Sequence, residues 1–228
     1  MNELSRKSAI LAAVSMTAFG LVSASAMAAD VAAPADTGFK PYVSVFVGAS
    51  FLNDVNTVSS HSIPYTARFN MGYILGGAAG VKWNDLLRTE IEFSHNSFGA
   101  KDYSSNGKAF IGASGPMSAT YLLGNVWLDL PTHSQFTPYI GGGVGYGWAN
   151  ADLTFTEPKY GYQNGSGNLV WQLGAGVKFS VRDHLDIDLG YRYKALDNIN
   201  FSNNTSGYTY TGGNLRSHNI ELGLTYNF

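Results

Sequence analysis

The chain is 228 residues long, 45% apolar and only 13% charged, with 27 glycines, 14 tyrosines, 13 phenylalanines and no cysteine. So much apolar and aromatic side chain excludes a disordered polymer, and so little charge sets the chain apart from ordinary soluble domains, where about a quarter of residues are charged. The missing cysteines exclude disulfide frameworks and thiolate metal sites, and a net charge of −2 offers no basic surface to nucleic acid.

Arg6 and Lys7 open the chain with positive charge, and an apolar stretch from Ile10 to Val22 follows, broken only by Ser15 and Thr17. Ala26-Met27-Ala28 then places small residues for a cut between Ala28 and Ala29. These are the three parts of a secretory signal, and the apolar stretch is shorter than the ~20 residues that span a bilayer as a helix. The organisation expected is a signal peptide over residues 1–28, an exposed periplasmic leader over 29–39 and one folded domain over 40–228.

Period-two alternation, the signature of strands, recurs in eight runs: Tyr42–Phe51, Tyr73–Trp83, Leu87–Ser97, Ser118–Leu130, Pro138–Trp148, Leu169–Phe179, Leu185–Tyr193 and His218–Phe228. One parity is large and apolar, as in Val43, Val45, Val47 and Phe51 or in Ile220, Leu222 and Leu224. The other is polar or very small. It carries Lys82, Arg88, Glu90, Glu92, Asn125, Asp129, Gln172, Lys178, Asp186, Asp188, Arg192 and Glu221, and the ladder Gly141, Gly143, Gly145, Gly147.

Such alternation fits a soluble sheet with the apolar face inside, or an inverted barrel with that face in lipid. Three features favour the inverted barrel. Connections alternate between short (Asn84-Asp85-Leu86) and long, the long ones being Leu52–Gly72, Phe98–Met117, Ala149–Asn168 and Lys194–Ser217. Four long structureless loops suit a transmembrane barrel better than a soluble fold. Aromatic residues gather at the two ends of the apolar parity, with Trp83, Phe179, Tyr226 and Phe228 at one rim and Phe51, Tyr73, Phe93, Trp148, Trp171, Tyr191 and Tyr193 at the other, as in membrane girdles. The glycine ladder would weaken a sheet in water, but inside a narrow barrel it leaves room for long Arg, Lys and Glu side chains. The fold expected is all-β: an eight-stranded antiparallel up-and-down transmembrane β-barrel.

Thr137-Pro-Tyr-Ile-Gly-Gly-Gly-Val-Gly-Tyr-Gly, Trp171-Gln-Leu-Gly-Ala-Gly-Val, Asp188-Leu-Gly-Tyr-Arg-Tyr and Glu221-Leu-Gly-Leu-Thr-Tyr-Asn-Phe resemble the small outer-membrane β-barrel domain family of Gram-negative bacteria, which includes opacity-type and surface-antigen porin-like proteins. The resemblance covers residues 40–228 and implies an exported chain in the outer membrane. The alternating Leu222, Leu224, Tyr226 and Phe228 are similar to the signal read by the outer-membrane assembly machinery, for which strand addition supplies a physical basis.

The inward charges Lys82, Arg88, Glu90, Glu92, Lys178, Asp186, Asp188, Arg192 and Glu221 nearly balance, so they read as a lumen network in which ions survive burial by pairing. His95 and Ser97 form an outward His-x-Ser pair similar to that of lipid A deacylases, but Glu90 and Glu92 have the opposite parity and no carboxylate completes a triad. The histidines at 61, 95, 133, 184 and 218 include no i, i+2 pair, so spacing indicates no metal or haem site. No catalytic residue, metal or cofactor is assigned. The function expected is a non-enzymatic surface barrel, envelope-structural or contacting external partners or a host surface through its loops. The alternatives are a small porin-like channel and a lipid A-modifying hydrolase. Outer-membrane lipid, lipopolysaccharide and the assembly machinery are the expected partners, and nucleic acid is not.

Overall fold

The computed structural model describes residues 38–105, 108–110, 115–132, 134–152, 163–202 and 209–228, with backbone alone at 105, 108–110 and 163–165. The signal peptide, the Ala28–Ala29 cut and nearly all of the leader lie outside the described residues. Twelve strands form one sheet: β1 (Lys40–Leu52), β2 (Val55–Ser59), β3 (Pro64–Phe69), β4 (Gly72–Lys82), β5 (Leu87–Ser105), β6 (Lys108–Phe110), β7 (Pro116–Asp129), β8 (Phe136–Ala151), β9 (Gln163–Gly165), β10 (Gly167–Arg182), β11 (Leu185–Ser202) and β12 (Thr209–Asn227). Eight of them close a ring of antiparallel neighbours in the order β1, β4, β5, β7, β8, β10, β11, β12 and back to β1. Closure runs through pairs such as Val45↔Leu224 and Leu189↔Leu222. A closed ring leaves no unpaired edge in lipid, where water cannot satisfy a free backbone group.

The short connections have a local cause. Asn84 Oδ1 accepts from the amides of Leu86 (2.9 Å) and Leu87 (2.7 Å), a side-chain turn that returns β4 into β5. Apolar side chains of one parity line the outer wall, with Val45 61% and Ile91 65% exposed. Aromatic pairs mark the short-turn rim, Phe136 with Phe179 and Tyr226 with Phe228, and the opposite rim, Trp171 with Tyr193 and Tyr146 with Trp148.

Two expectations need correction. The long connections are not structureless where they are described. β5 continues past Ser97 to Ser105, β11 continues past Tyr193 to Ser202, and β12 begins at Thr209, well before His218. The stretch from Leu52 to Gly72 holds the β2–β3 hairpin, which pairs with β12 on one side and β5 on the other. Ser62, at φ 60°, makes its turn. A collar of strands thus extends the wall beyond the rim.

Within the collar the sense of the alternation inverts. Val55, Met117, Ala119, Tyr121, Leu123, Ala149, Val170, Leu196, Ile199, Phe201 and Leu215 pack inward as one apolar cluster. Arg68 instead points to water and meets Asp54 at 3.2 Å. Beside lipid the outside must be apolar, whereas beyond it the outside is water and only an apolar inside stabilises the strands. Alternation read for an apolar outer face stops where this inversion begins, which is why the expected strands were too short.

The second correction concerns the space beside the glycine ladder. Four aromatic residues that belong to neither girdle, Tyr42, Tyr121, Trp127 and Tyr139, are buried inside the ring. The glycine ladder faces these neighbours: a Cβ at Gly141 would meet Trp127, at Gly143 the Asn125 side chain, and at Gly147 Tyr121. The room expected for Arg and Lys is occupied mostly by the inward side chains of β7.

The collar core gives a test. Ile199 is fully buried in it, so Ile199→Asp places an unpaired carboxylate among apolar side chains at a cost of about 3 kcal/mol or more. Limited proteolysis is expected to nick the collar of this variant while heat-modifiable gel migration, which reports the membrane-embedded ring, is retained. Unchanged protease resistance would refute an apolar collar core.

Candidate functional site

Below the collar the ring encloses a polar lumen built from the inward parity of all eight strands. Apart from Lys40, exposed at the short-turn mouth, its charges are Lys82, Arg88, Lys178, Arg192 and Lys194 against Glu90, Glu92, Asp129, Asp186, Asp188 and Glu221. At the short-turn end Lys82 approaches Asp186 at 3.5 Å, and Ser180 and Asn227 donate to the same carboxylate at 2.8 and 3.0 Å.

One level deeper, Asp129 accepts from Arg88 Nε at 3.0 Å and from Lys178 Nζ. Arg88 Nη1 also reaches Glu90 at 3.3 Å, whose carboxylate accepts from Tyr42 (2.6 Å), Trp127 Nε1 (2.8 Å) and Asn125 (3.0 Å). Arg192 stacks over Trp127, its guanidinium carbon 4.2 Å from the ring centre, and donates to the Tyr139 hydroxyl at 3.0 Å, which in turn donates to Asp188 at 2.9 Å.

At mid-height Glu92 is the hub. It accepts from Lys194 Nζ, from Ser94 Oγ (2.8 Å), from Asn125 (2.9 Å) and from Gln172 (2.7 Å). Lys194 also lies 5.3 Å from the Tyr121 ring centre, where the polar network meets the collar. Asn96 closes the layer by donating to Ser50 and Asn219, both at 2.8 Å. In a low-dielectric interior such charge-assisted bonds offset the burial of the ions they join and fill much of the lumen with protein atoms.

Of the nine lumen residues read from the sequence, Lys82 thus meets Asp186, Arg88 meets Glu90, Glu92 meets Lys194, Lys178 meets Asp129, and Asp188 shares Tyr139 with Arg192. Glu221 forms no ion pair within 4.0 Å among the described residues, and its Oε1 has no hydrogen-bond partner. Sequence alternation places Lys194 in a loop and does not assign Tyr42, Trp127 or Tyr139 to the lumen. Parity was the available signal, since Arg192 and Lys194 are two apart. On the opposite parity Leu222, Leu224, Tyr226 and Phe228 lie exposed along the outer wall of β12 and just past it.

The His-x-Ser pair does not assemble. His95 Nδ1 lies 2.9 Å from Thr120 Oγ1, its cross-strand neighbour on the outer wall, and no hydrogen bond joins it to Ser97 or to a carboxylate among the described residues. His218 Nδ1 pairs with the Tyr191 hydroxyl at 2.6 Å, and no cluster of three or more His, Cys, Asp or Glu is placed to hold a metal ion among the described residues.

Comparison with known proteins places this architecture. The chain is 24% identical over 233 residues to opacity protein opA67 of Neisseria gonorrhoeae, covering 86% of this chain and 89% of that protein. It is 29% identical over 118 residues to outer membrane protein PagN of Salmonella typhimurium, covering 48% and 49%. It is also 27% identical over 161 residues to uncharacterized proteins of Brucella, of whose length it spans about half, at 53%. Among solved structures, neisserial surface protein A (NspA) matches with TM-score 0.51 at 20% identity, covering 84% of this chain and 98% of that one. The Escherichia coli outer membrane protease OmpT matches with TM-score 0.50 at 11% identity, covering 83% and 97%. At these identities the structural likeness speaks for the fold alone. The sequence profile described as the outer membrane protein beta-barrel domain spans residues 14–228. The closed ring, its lipid-compatible outer wall and its polar lumen agree with that match, and the chain belongs to the outer membrane protein β-barrel domain family, whose place is the outer membrane of Gram-negative bacteria.

Proposed function

We propose that this protein is a non-enzymatic, non-conducting surface barrel that presents its collar and loop tips to partners outside the cell. The observation that carries the reading is that the interior is filled at two successive heights, by the charged network around Glu92 and Glu90 and by the apolar cluster of the collar. Eight strands enclose a bore that side chains can fill, and here both polar and apolar side chains fill it. A strand-built collar also holds the loops on a stiff base, which lowers the ordering cost of binding an external partner. Lipid and lipopolysaccharide contact the outer wall, and the assembly machinery engages β12 through its outward Leu222, Leu224, Tyr226 and Phe228. The absence of a hydrogen bond between His95 and Ser97 weighs against acyl transfer.

Refolded protein in planar bilayers is expected to give no steady conductance above the bare membrane, and no acyl chains are expected to leave lipid A in its presence. A steady open pore would replace this reading with a porin-like channel, and acyl release lost in Ser97→Ala would replace it with a hydrolase.

A further inference from the structure

Glu221 is the exception in the lumen. It is only 4% exposed, yet Oε1 makes no hydrogen bond, while the other five inward carboxylates each accept at least one. The interior charges named above comprise five cations and six carboxylates, so one negative charge is in excess. The other buried unpartnered side-chain atoms inside the ring, Asn96 Oδ1, Gln172 Oε1 and Asn227 Oδ1, are also acceptors. The interior is therefore short of donors and of one positive charge.

The space to supply both lies beside the same residue. Glu221 is paired in register with Gly48 on β1 and Gly190 on β11, so its immediate cross-strand neighbours carry no side chain, and the side chains nearest the space beside it are Ser44 and Phe46 of β1 and Asp188 and Arg192 of β11. A cavity opens there, with about 30 Å³ for the centres of water-sized molecules, where one water needs about 10–15 Å³. Ser44 and Thr225 line it together with Glu221. The charged groups that face it are Arg88, Glu90 and Glu92 from β5, Lys178 from β10, and Asp188 and Arg192 from β11. The cations among them already serve other partners: Arg88 serves Asp129 and Glu90, Lys178 serves Asp129, and Arg192 serves Tyr139 and the Trp127 face, while Lys194 of β11, whose charge also acts on Glu221, is paired with Glu92.

We propose that the lumen takes up one exchangeable monovalent cation at Glu221, an alkali ion with its water or a proton, in the cavity that Ser44, Phe46 and Thr225 line beside it. Glu90, Glu92 and Asp188 are already bonded to other groups and no three carboxylates converge to hold a metal ion among the described residues, so Glu221 with two nearby hydroxyls and room for water suits a weakly held monocation, whereas a divalent ion would require several converging carboxylates. The cation neutralises the excess charge and satisfies the orphan oxygen, so it binds the folded ring and not the unfolded chain, and it raises stability by mass action.

The test is thermal unfolding of the full chain in detergent, wild type against Glu221→Gln. At pH 8 the two are compared in sodium chloride and in N-methyl-D-glucamine chloride of equal ionic strength, and again at pH 5. For an alkali ion, wild type is expected to melt about 3 °C higher in sodium at pH 8, with the gap closing at pH 5 as protons compete. For a proton, the two salts agree, but wild type melts higher at pH 5 than at pH 8, because a proton bound only in the folded state stabilises it on acidification. Glu221→Gln is expected to lack either response. Identical responses in both proteins overturn the proposal. Should Glu221→Gln fail to refold, wild type decides: a rubidium peak beside Oε1 in soaked crystals, or titration of the Glu221 carboxyl between pH 5 and pH 8 by NMR, supports it. Absence of both overturns it.

Discussion

Replacing Lys194 by methionine is expected to cost the folded barrel about 3–5 kcal/mol, because it leaves the Glu92 carboxylate buried without its counter-ion. Lys194 is 1% exposed and Glu92 3%, so water cannot take over. Ser94, Asn125 and Gln172 would go on donating to Glu92, but neutral donors do not offset a whole charge. The double variant Glu92→Gln with Lys194→Met removes both charges and is expected to recover most of the loss, as an ion pair replaced together leaves nothing uncompensated. Urea unfolding of refolded protein in lipid vesicles, followed by tryptophan fluorescence, measures both. A single variant within 1 kcal/mol of wild type would show that Glu92 is not held by Lys194.

Truncating Trp127 to alanine is expected to have an effect of similar size and a second consequence. Trp127 is fully buried, donates from Nε1 to Glu90 at 2.8 Å, packs edge-on against Tyr139 at 5.6 Å and carries the Arg192 guanidinium on its face. Removing it empties an indole-sized volume at a cost of about 3–5 kcal/mol. The hole would adjoin Gly141, over which the indole lies, and that residue has no side chain to fill it. Water is then expected to enter beside Arg88 and Arg192, and planar bilayers should show fluctuating conductance that wild type lacks. Trp127→Phe keeps most of the volume and loses only the Nε1 donor, so it should cost about 1–3 kcal/mol and stay sealed. Should Trp127→Ala remain as silent as wild type, the seal would lie in the collar alone.

The strands, their outward faces and the inward set of charges were legible in the chain. Val43, Val45 and Val47 on one side of β1, with Glu90 and Glu92 on the inner side of β5, follow from successive residues pointing to opposite faces of a strand, whatever the neighbours are. What misled was the sign of the alternation. Leu196, Ile199 and Phe201 share the inner face with Arg192 and Lys194, so one strand passes from charged-inside to apolar-inside where lipid gives way to water. An eye trained on one sense of the pattern ends the strand there and assigns Lys194 to a loop.

Alternation along the sequence was enough to settle which side chains enter the lumen, since that depends only on strand pleating. Their partners depend on strand order, tilt and stagger around the closed ring, which no local pattern contains. Ring closure sets Lys194 on Glu92 across 102 residues of chain and Arg192 on the Trp127 ring. It also sets Glu221 of the last strand beside a cavity lined by Ser44 of the first, with one carboxylate oxygen that no group among the described residues satisfies.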